Sequence, residues 1–301
     1  MSSSSQTRKN TTTASPTLDP LLEPRGFANS TYSEGIASCS LTNHPARLIQ
    51  LGSLFGSGRL ELSDSSHRAI RKQIRRHMSL KHPLLQKSSA DIAMKISGSG
   101  SGFLGAHLRC NDDYFPDTAM ERSRMLWWKL VHGSLGLSME RTHQLEVASG
   151  FTGNSARSRQ LERYIARSPL DYRPLISDVQ QVRCKGEVHT KPDLERLNVP
   201  LFIATDSKDP YTDAHLRLFR QTFPCLFFLS DFPQEVELIA GIGNPVSGMK
   251  IGEMLVPFLD AMVIARVARV VGTLHNTFSW YVQDVLWRVS HELDIDERGG
   301  G

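Results

Sequence analysis

The chain has 301 residues and an apolar fraction of 40%, enough for a packed core in one large domain or two ordinary ones. Its 35 Lys and Arg against 31 Asp and Glu leave a net charge of only +4, too small and dispersed to require a nucleic acid or membrane partner. No apolar run approaches the ~20 residues that span a bilayer, and no signal-peptide segment is present.

Residues 1–45 carry a Ser-rich opening, Ser2 to Ser5, and few large apolar side chains. Such a composition cannot offset the entropy of ordering, so a disordered or loosely attached tail is expected. Asn10-Thr11-Thr12 and Asn29-Ser30-Thr31 match a glycosylation pattern common by chance, and are read as unmodified. Residues 46–100 read as a connecting region. Ala46 to Leu51 is a short strand candidate, and Gly52 to Gly58 permits tight turns. Asp64 or Ser65 caps a helix with Ile70, Ile74 and Met78 on one face and Arg68, Arg71, Lys72, Arg75 and Arg76 on the others. With no aromatic residues among these cations, the helix is read as carrying a solvated basic face and not as a nucleic-acid binder.

Residues 101–294 read as one Rossmann-like domain, and 295–301 as a flexible tail. After the flexible connection Ser97 to Gly102, Phe103 to Arg109 has a buried-strand pattern ending in polar residues. Helices are expected from Asp117 to about Ala148, with Met125, Leu126, Trp128, Leu130 and Val131 as core, and from Ser155 to Ile165. Strands Pro200 to Ala204, Cys225 to Leu229 and Val270-Val271 then alternate with helices Thr212 to Phe223, Glu253 to Ala268 and Thr277 to about Glu292. Uniformly apolar strands alternating with helices predict an α/β fold, a parallel sheet covered on both faces through right-handed crossovers.

Three strand ends carry distinctive residues: His107, Arg109, Asp112 and Asp113; Thr205-Asp206-Ser207; and Thr273 to Ser279. Parallel strands bring their C-terminal ends to one edge, so these groups converge. Arg109 offers a rigid fork for phosphate oxygens, while Asn276, Thr277 and Ser279 supply donors at a helix start that favours an anion. Taken singly, each of these motifs is more often a surface ion pair, a capped turn or an ordinary helix cap. There is no P-loop, no Gly-x-Gly-x-x-Gly after a strand and no Gly-x-Ser-x-Gly elbow. Cys39, Cys110, Cys184 and Cys225 are widely separated, with no Cys/His clustering at metal-ligand spacing. Neither a zinc site nor a disulfide scaffold is implied, and one or two disulfides stay possible.

Several of these motifs, in this order, resemble the GDP-fucose protein O-fucosyltransferases, particularly their fungal relatives. The resemblance covers roughly Leu48 to Arg288 and rests on Leu51 to Arg59, Gly105 to Phe115, Phe202 to Ser207 and Asp260 to Arg288, including Gly272-Thr273 and Asn276 to Ser279. It implies a GT-B architecture, GDP-fucose as donor substrate, a protein or glycan hydroxyl as acceptor, transfer with inversion, and no metal or other cofactor. Arg109 would clamp the diphosphate and stabilise charge on the departing GDP as the catalytic residue. His107 would position donor groups beside it, and Asp112 would orient Arg109 or nearby loop amides. Thr277, Phe278 and Ser279 would bind phosphate, and Asp260 would accept from guanine N–H groups. Asp206 would join the donor site or simply cap the following turn.

Two departures qualify this expectation. Relatives carry a whole N-terminal Rossmann-like domain before the Leu-Phe-Gly-Ser region, opening on a Gly-rich loop with an Asn. Here only residues 1–45 precede it, and Gly26 to Asn29 follows no strand. The expectation is therefore of a truncated chain that keeps donor affinity with weak or no transfer alone, or of a noncatalytic nucleotide-sugar-binding relative. Asn111 and Asp113 also replace a usual Gly, and the extra carboxylate would repel a diphosphate unless paired. The family works in the secretory pathway, though no signal or anchor is evident here.

Overall fold

The computed structural model describes residues 36–37, 60–61, 64–98, 102–110, 116–151, 184–244, 246–273 and 276–295. Asp112, the expected strand at 46–51, the glycine turn at 52–58, the expected helix at 155–165 and both glycosylation patterns lie outside the described residues. The chain divides into two compact units, one containing residues up to Ile70 and the other Arg71–Glu297. In the first, β1 (Ile36–Ala37) pairs in parallel with β2 (Leu60–Glu61). That pairing falls partly within the stretch whose composition predicts no order, because a strand this short leaves no compositional trace.

The helix predicted near residue 65 forms as α1 (Ser65–His77), with Asp64 Oδ1 accepting the Ser66 N–H at 2.7 Å. It buries none of its residues, and Ile70, Ile74 and Met78 stay more than half exposed. Lys72 and Arg76 bond to Asp294, and these bonds hold its carboxyl down to about 2.

In the second unit, α2 (Pro83–Ser97) precedes β3 (Leu104–Leu108), followed by α3 (Pro116–Trp128) and α4 (Met139–Ala148). Next come β4 (Leu201–Thr205), α5 (Arg217–Thr222), β5 (Leu226–Phe227), α6 (Pro233–Ala240) and α7 (Gly252–Ile264). The last elements are β6 (Arg269–Gly272), α8 (Thr277–Tyr281) and α9 (Trp287–Ser290), the two helices joined through a π turn. Four strands form an all-parallel sheet in the order β5-β4-β3-β6. This is the expected Rossmann-like α/β fold, with β3 at the point where the strand order reverses.

Period-two alternation sorts the side chains to two faces. Leu104, Ala106, Leu108, Leu201 and Ile203 enter one core with Trp127 of α3 and Phe219 of α5. Phe202 and Ala204 enter the other, with Ile92 of α2, Ile239 of α6 and Ile264 of α7. Helices therefore cover both faces, which is why the strands read as unbroken apolar runs. The helix expected through 117–148 breaks instead: Lys129–Ser134 winds as a π turn, Gly136 takes φ +70°, and Ser138 caps α4 by accepting the Arg141 N–H. Cys184 and Cys225 form a disulfide with Cα atoms 4.1 Å apart, tying the segment before β4 to the start of β5.

Two glycines let elements approach the sheet. A Cβ on Gly105 would meet Val267 Cγ1 at 2.7 Å, and one on Gly272 would meet Ser279 Cβ at 2.6 Å. The second contact sets how closely α8 rests on β6. Gly272→Ala is therefore expected to destabilise the protein by about 1–3 kcal/mol through overpacking, read as the shift in its urea unfolding midpoint. A midpoint unchanged from the parent would show that α8 does not rest there.

Candidate functional site

A pocket of about 430 Å³ opens at the C-terminal edge of the sheet. Its lining comes from the three places where the sequence places chemistry: His107 and Arg109 at the end of β3, Thr205 at the end of β4 with Asp206 to Lys208 beyond it, and Phe278 in α8. Phe228 to Ser230 after β5, Val236 of α6, and Val256, Pro257 and Asp260 of α7 also contribute. The strand ends converge because their register is parallel, with His107 opposite both Ala204 and Gly272.

His107 is buried, and its Nδ1 is hydrogen-bonded to Ser279 Oγ at 2.6 Å. Its ring also packs at 5.1 Å, centroid to centroid, against Phe278. Burial, and secondarily the neighbouring Arg109 charge, push its imidazole down to about 3. It is a neutral hydrogen-bonding group at ordinary pH. The His107 carbonyl accepts from both the N–H and the hydroxyl of Thr273, each at 2.9 Å, and Thr273 Oγ1 in turn accepts the Arg109 N–H at 3.1 Å. The backbone that carries Arg109 is thus fastened to the end of β6.

The Arg109 side chain is about one-third exposed into the pocket, with Nε 3.6 Å from Asp206 Oδ2. Asp206 Oδ1 accepts the Cys110 N–H at 2.7 Å. Asp206 therefore orients the guanidinium and pins the β3 loop, beyond the turn cap that its sequence position allows. Ser207 N–H, two residues from Thr205, is received by Thr205 Oγ1 at 3.2 Å.

Asp260 of α7 also lines the pocket. Its Oδ1 is buried without a hydrogen-bonding partner among the described residues, and burial pushes its carboxyl well above the usual carboxylate range. A buried polar atom left unsatisfied costs about 1–3 kcal/mol, which a ligand donor would relieve.

Asn276, Thr277 and Ser279 do not line the pocket. Asn276 Oδ1 accepts the Ser279 N–H at 2.8 Å as the cap of α8, and Ser279, wholly buried, spends its hydroxyl on His107. They build the wall that presents Phe278. Lys208 and Phe228 are pocket residues that the sequence reading passed over. Lys208 was findable two residues past Asp206, whereas Phe228 looks like any core aromatic. Comparison with protein-family models, curated proteins and solved structures finds no match. No helix among the described residues is long and apolar enough to cross a membrane.

The lowered imidazole has a consequence for stability. Between pH about 6.5 and about 3 the unfolded chain binds a proton that folded His107 refuses. Its contribution is therefore complete above that window and is lost as pH falls, at roughly 1.4 kcal/mol per pH unit. The raised Asp260 carboxyl acts with the opposite sign, so the His107 term is read as the difference between parent and His107→Gln in urea unfolding at several pH values. The parent is expected to lose stability faster than the variant on acidification, and parallel profiles would contradict a buried neutral His107.

Proposed function

We propose that this pocket binds GDP-fucose and that the chain is a fucosyltransferase-like protein, transferring fucose with inversion to a protein or glycan hydroxyl. The observation that carries the reading is that Arg109 and Asp260 line one cavity at the C-terminal edge of a parallel sheet. This is where such sheets take nucleotides. The volume of about 430 Å³ lies within the range of small-molecule sites.

In this reading Arg109, held at an angle by Asp206, and Lys208 meet the diphosphate. Arg109 does so with a planar fork suited to two phosphate oxygens. As the bond from the fucose anomeric carbon to the phosphate oxygen breaks, its electron pair stays on GDP, and a fixed cation stabilises that growing charge. His107, neutral and tied to Ser279, keeps the floor of the site rigid. Asp260 reads the base: guanine presents adjacent N–H donors, which satisfy the orphaned oxygen and favour the carboxylate that burial otherwise opposes. Guanine binding should therefore release a proton. Phe278 and Phe228 supply apolar area for the base or sugar.

One observation favours a second reading, a nucleotide-sugar binder without transfer. Asp206 is committed to Arg109 and the Cys110 amide, and if Asp260 reads the base neither pocket carboxylate is left to take the acceptor's proton.

Calorimetric titration of the full chain with GDP, GDP-fucose and ADP tests the shared core of both readings. GDP and GDP-fucose are expected to bind in preference to ADP. Arg109→Ala should weaken them about 10- to 100-fold, corresponding to one charge-assisted contact set, and Asp260→Asn should erase the preference for guanine. Equal affinity for GDP and ADP in the parent, or no GDP binding, would reject the donor assignment. Transfer of radiolabelled fucose to an added acceptor separates enzyme from binder.

A further inference from the structure

Behind the pocket wall the fold assembles a second cluster that no sequence spacing reveals. Cys110 follows Arg109 at the end of β3, whereas Asp213 and His215 sit in the loop and 3-10 turn before α5. Their potential ligand atoms, the thiol sulfur, a carboxylate oxygen and an imidazole nitrogen, all lie within 4.8 Å of one another. Cys110 is buried and not disulfide-bonded, and Asp213 and His215 are partly buried.

We propose that Cys110, Asp213 and His215 form a site for a divalent transition-metal ion, zinc by donor chemistry. One sulfur, one nitrogen and one oxygen are the donor types that a borderline cation of tetrahedral preference takes, and three protein ligands leave a fourth position for water. Bond lengths of roughly 2.0–2.3 Å to such an ion require ligand atoms somewhat closer together than the widest of these separations, a change within reach of side-chain rotation. Coordination replaces the thiol proton, which leaves to solvent, by a sulfur–metal bond.

The surroundings are arranged as outer partners of a metal site. Ser207 Oγ donates to Asp213 Oδ2 at 2.6 Å, and the His215 N–H donates to Asp213 Oδ1 at 2.8 Å. Ser123 donates its hydroxyl to the His215 carbonyl, tying the turn to α3. Thr205 Oγ1 lies 3.9 Å from Cys110 Sγ. Such contacts fix ligand orientation. An ordinary Asp–His pair explains the 2.9 Å approach of His215 Nδ1 to Asp213 Oδ1, but gives no reason for a thiol at the same spot. The ion would bridge the end of β3 to the loop after β4, bracing the wall that carries Arg109 and Ser207 whatever anion the pocket holds.

The test uses the full chain, reduced mildly, stripped with a chelator and titrated with Zn²⁺ and with Co²⁺. The parent is expected to bind one equivalent tightly, to gain thermal stability, and with Co²⁺ to develop a thiolate charge-transfer band in the near ultraviolet. Cys110→Ser should abolish the band while Cys39→Ser keeps it. His215→Ala should weaken Zn²⁺ binding beyond the roughly 10- to 100-fold that an outer partner is worth, and Ser207→Ala should fall within that range. Absence of the band in the parent, its persistence in Cys110→Ser, or His215→Ala binding Zn²⁺ as the parent does would each overturn the assignment. Because the parent's own spectrum and stoichiometry can refute it, a misfolded variant would not shelter the proposal.

Discussion

The site depends on one buried contact, the hydrogen bond between His107 of β3 and Ser279 of α8. It joins the central strand to the helix that follows the adjacent strand, and it forms only because Gly272 admits α8 so close to the sheet. Around it, Thr273 binds the His107 carbonyl and the Arg109 amide, so three strand-end residues share one rigid frame. The guanidinium, which is the exposed chemistry, stands on that frame. A long cation of this kind loses much conformational freedom on binding an anion, and a carboxylate neighbour that already limits it reduces that cost.

Electrostatically the pocket is mixed. Arg109, Lys208, Asp206 and Asp260 share its lining with the rings of Phe228 and Phe278. A uniformly cationic cleft would suit phosphate alone. A cation and a buried carboxylate together with aromatic rings suit a molecule with an anionic end and a donor-bearing ring, as the proposed nucleoside diphosphate has. On the proposed reading Asp260 would matter most for discrimination, because a site that hydrogen-bonds a ligand N–H penalises any analogue lacking it through the partner left buried and unpaired.

The sheet was legible in the sequence because all four of its strands are buried on both faces: Leu104 to Leu108, Leu201 to Thr205, Leu226-Phe227 and the Val270-Val271 pair stand out as apolar runs. The rule that parallel strands share one functional edge then placed Arg109, Asp206 and Phe278 together. Other features were illegible for stated reasons. α2 and α6 each open on a Pro, a start signal, but neither has a side-chain cap and α6 spans only eight residues, so that signal stands alone. Asn276 and Ser279 have side chains equally able to cap a helix or hold a phosphate; only coordinates distinguish the two, and here both are turned inward. The Cys110, Asp213 and His215 grouping arises from the β3–β4 register, a relation that linear spacing does not encode.

The most direct measurement of the central claim, that the strand ends form one nucleotide pocket, is amide hydrogen exchange of the full chain with and without GDP. The account predicts slowed exchange together in three separate segments, around 107–110, 205–208 and 277–281, with α1 unaffected. Protection confined to α1, or no change in any of the three segments at saturating GDP, would contradict it.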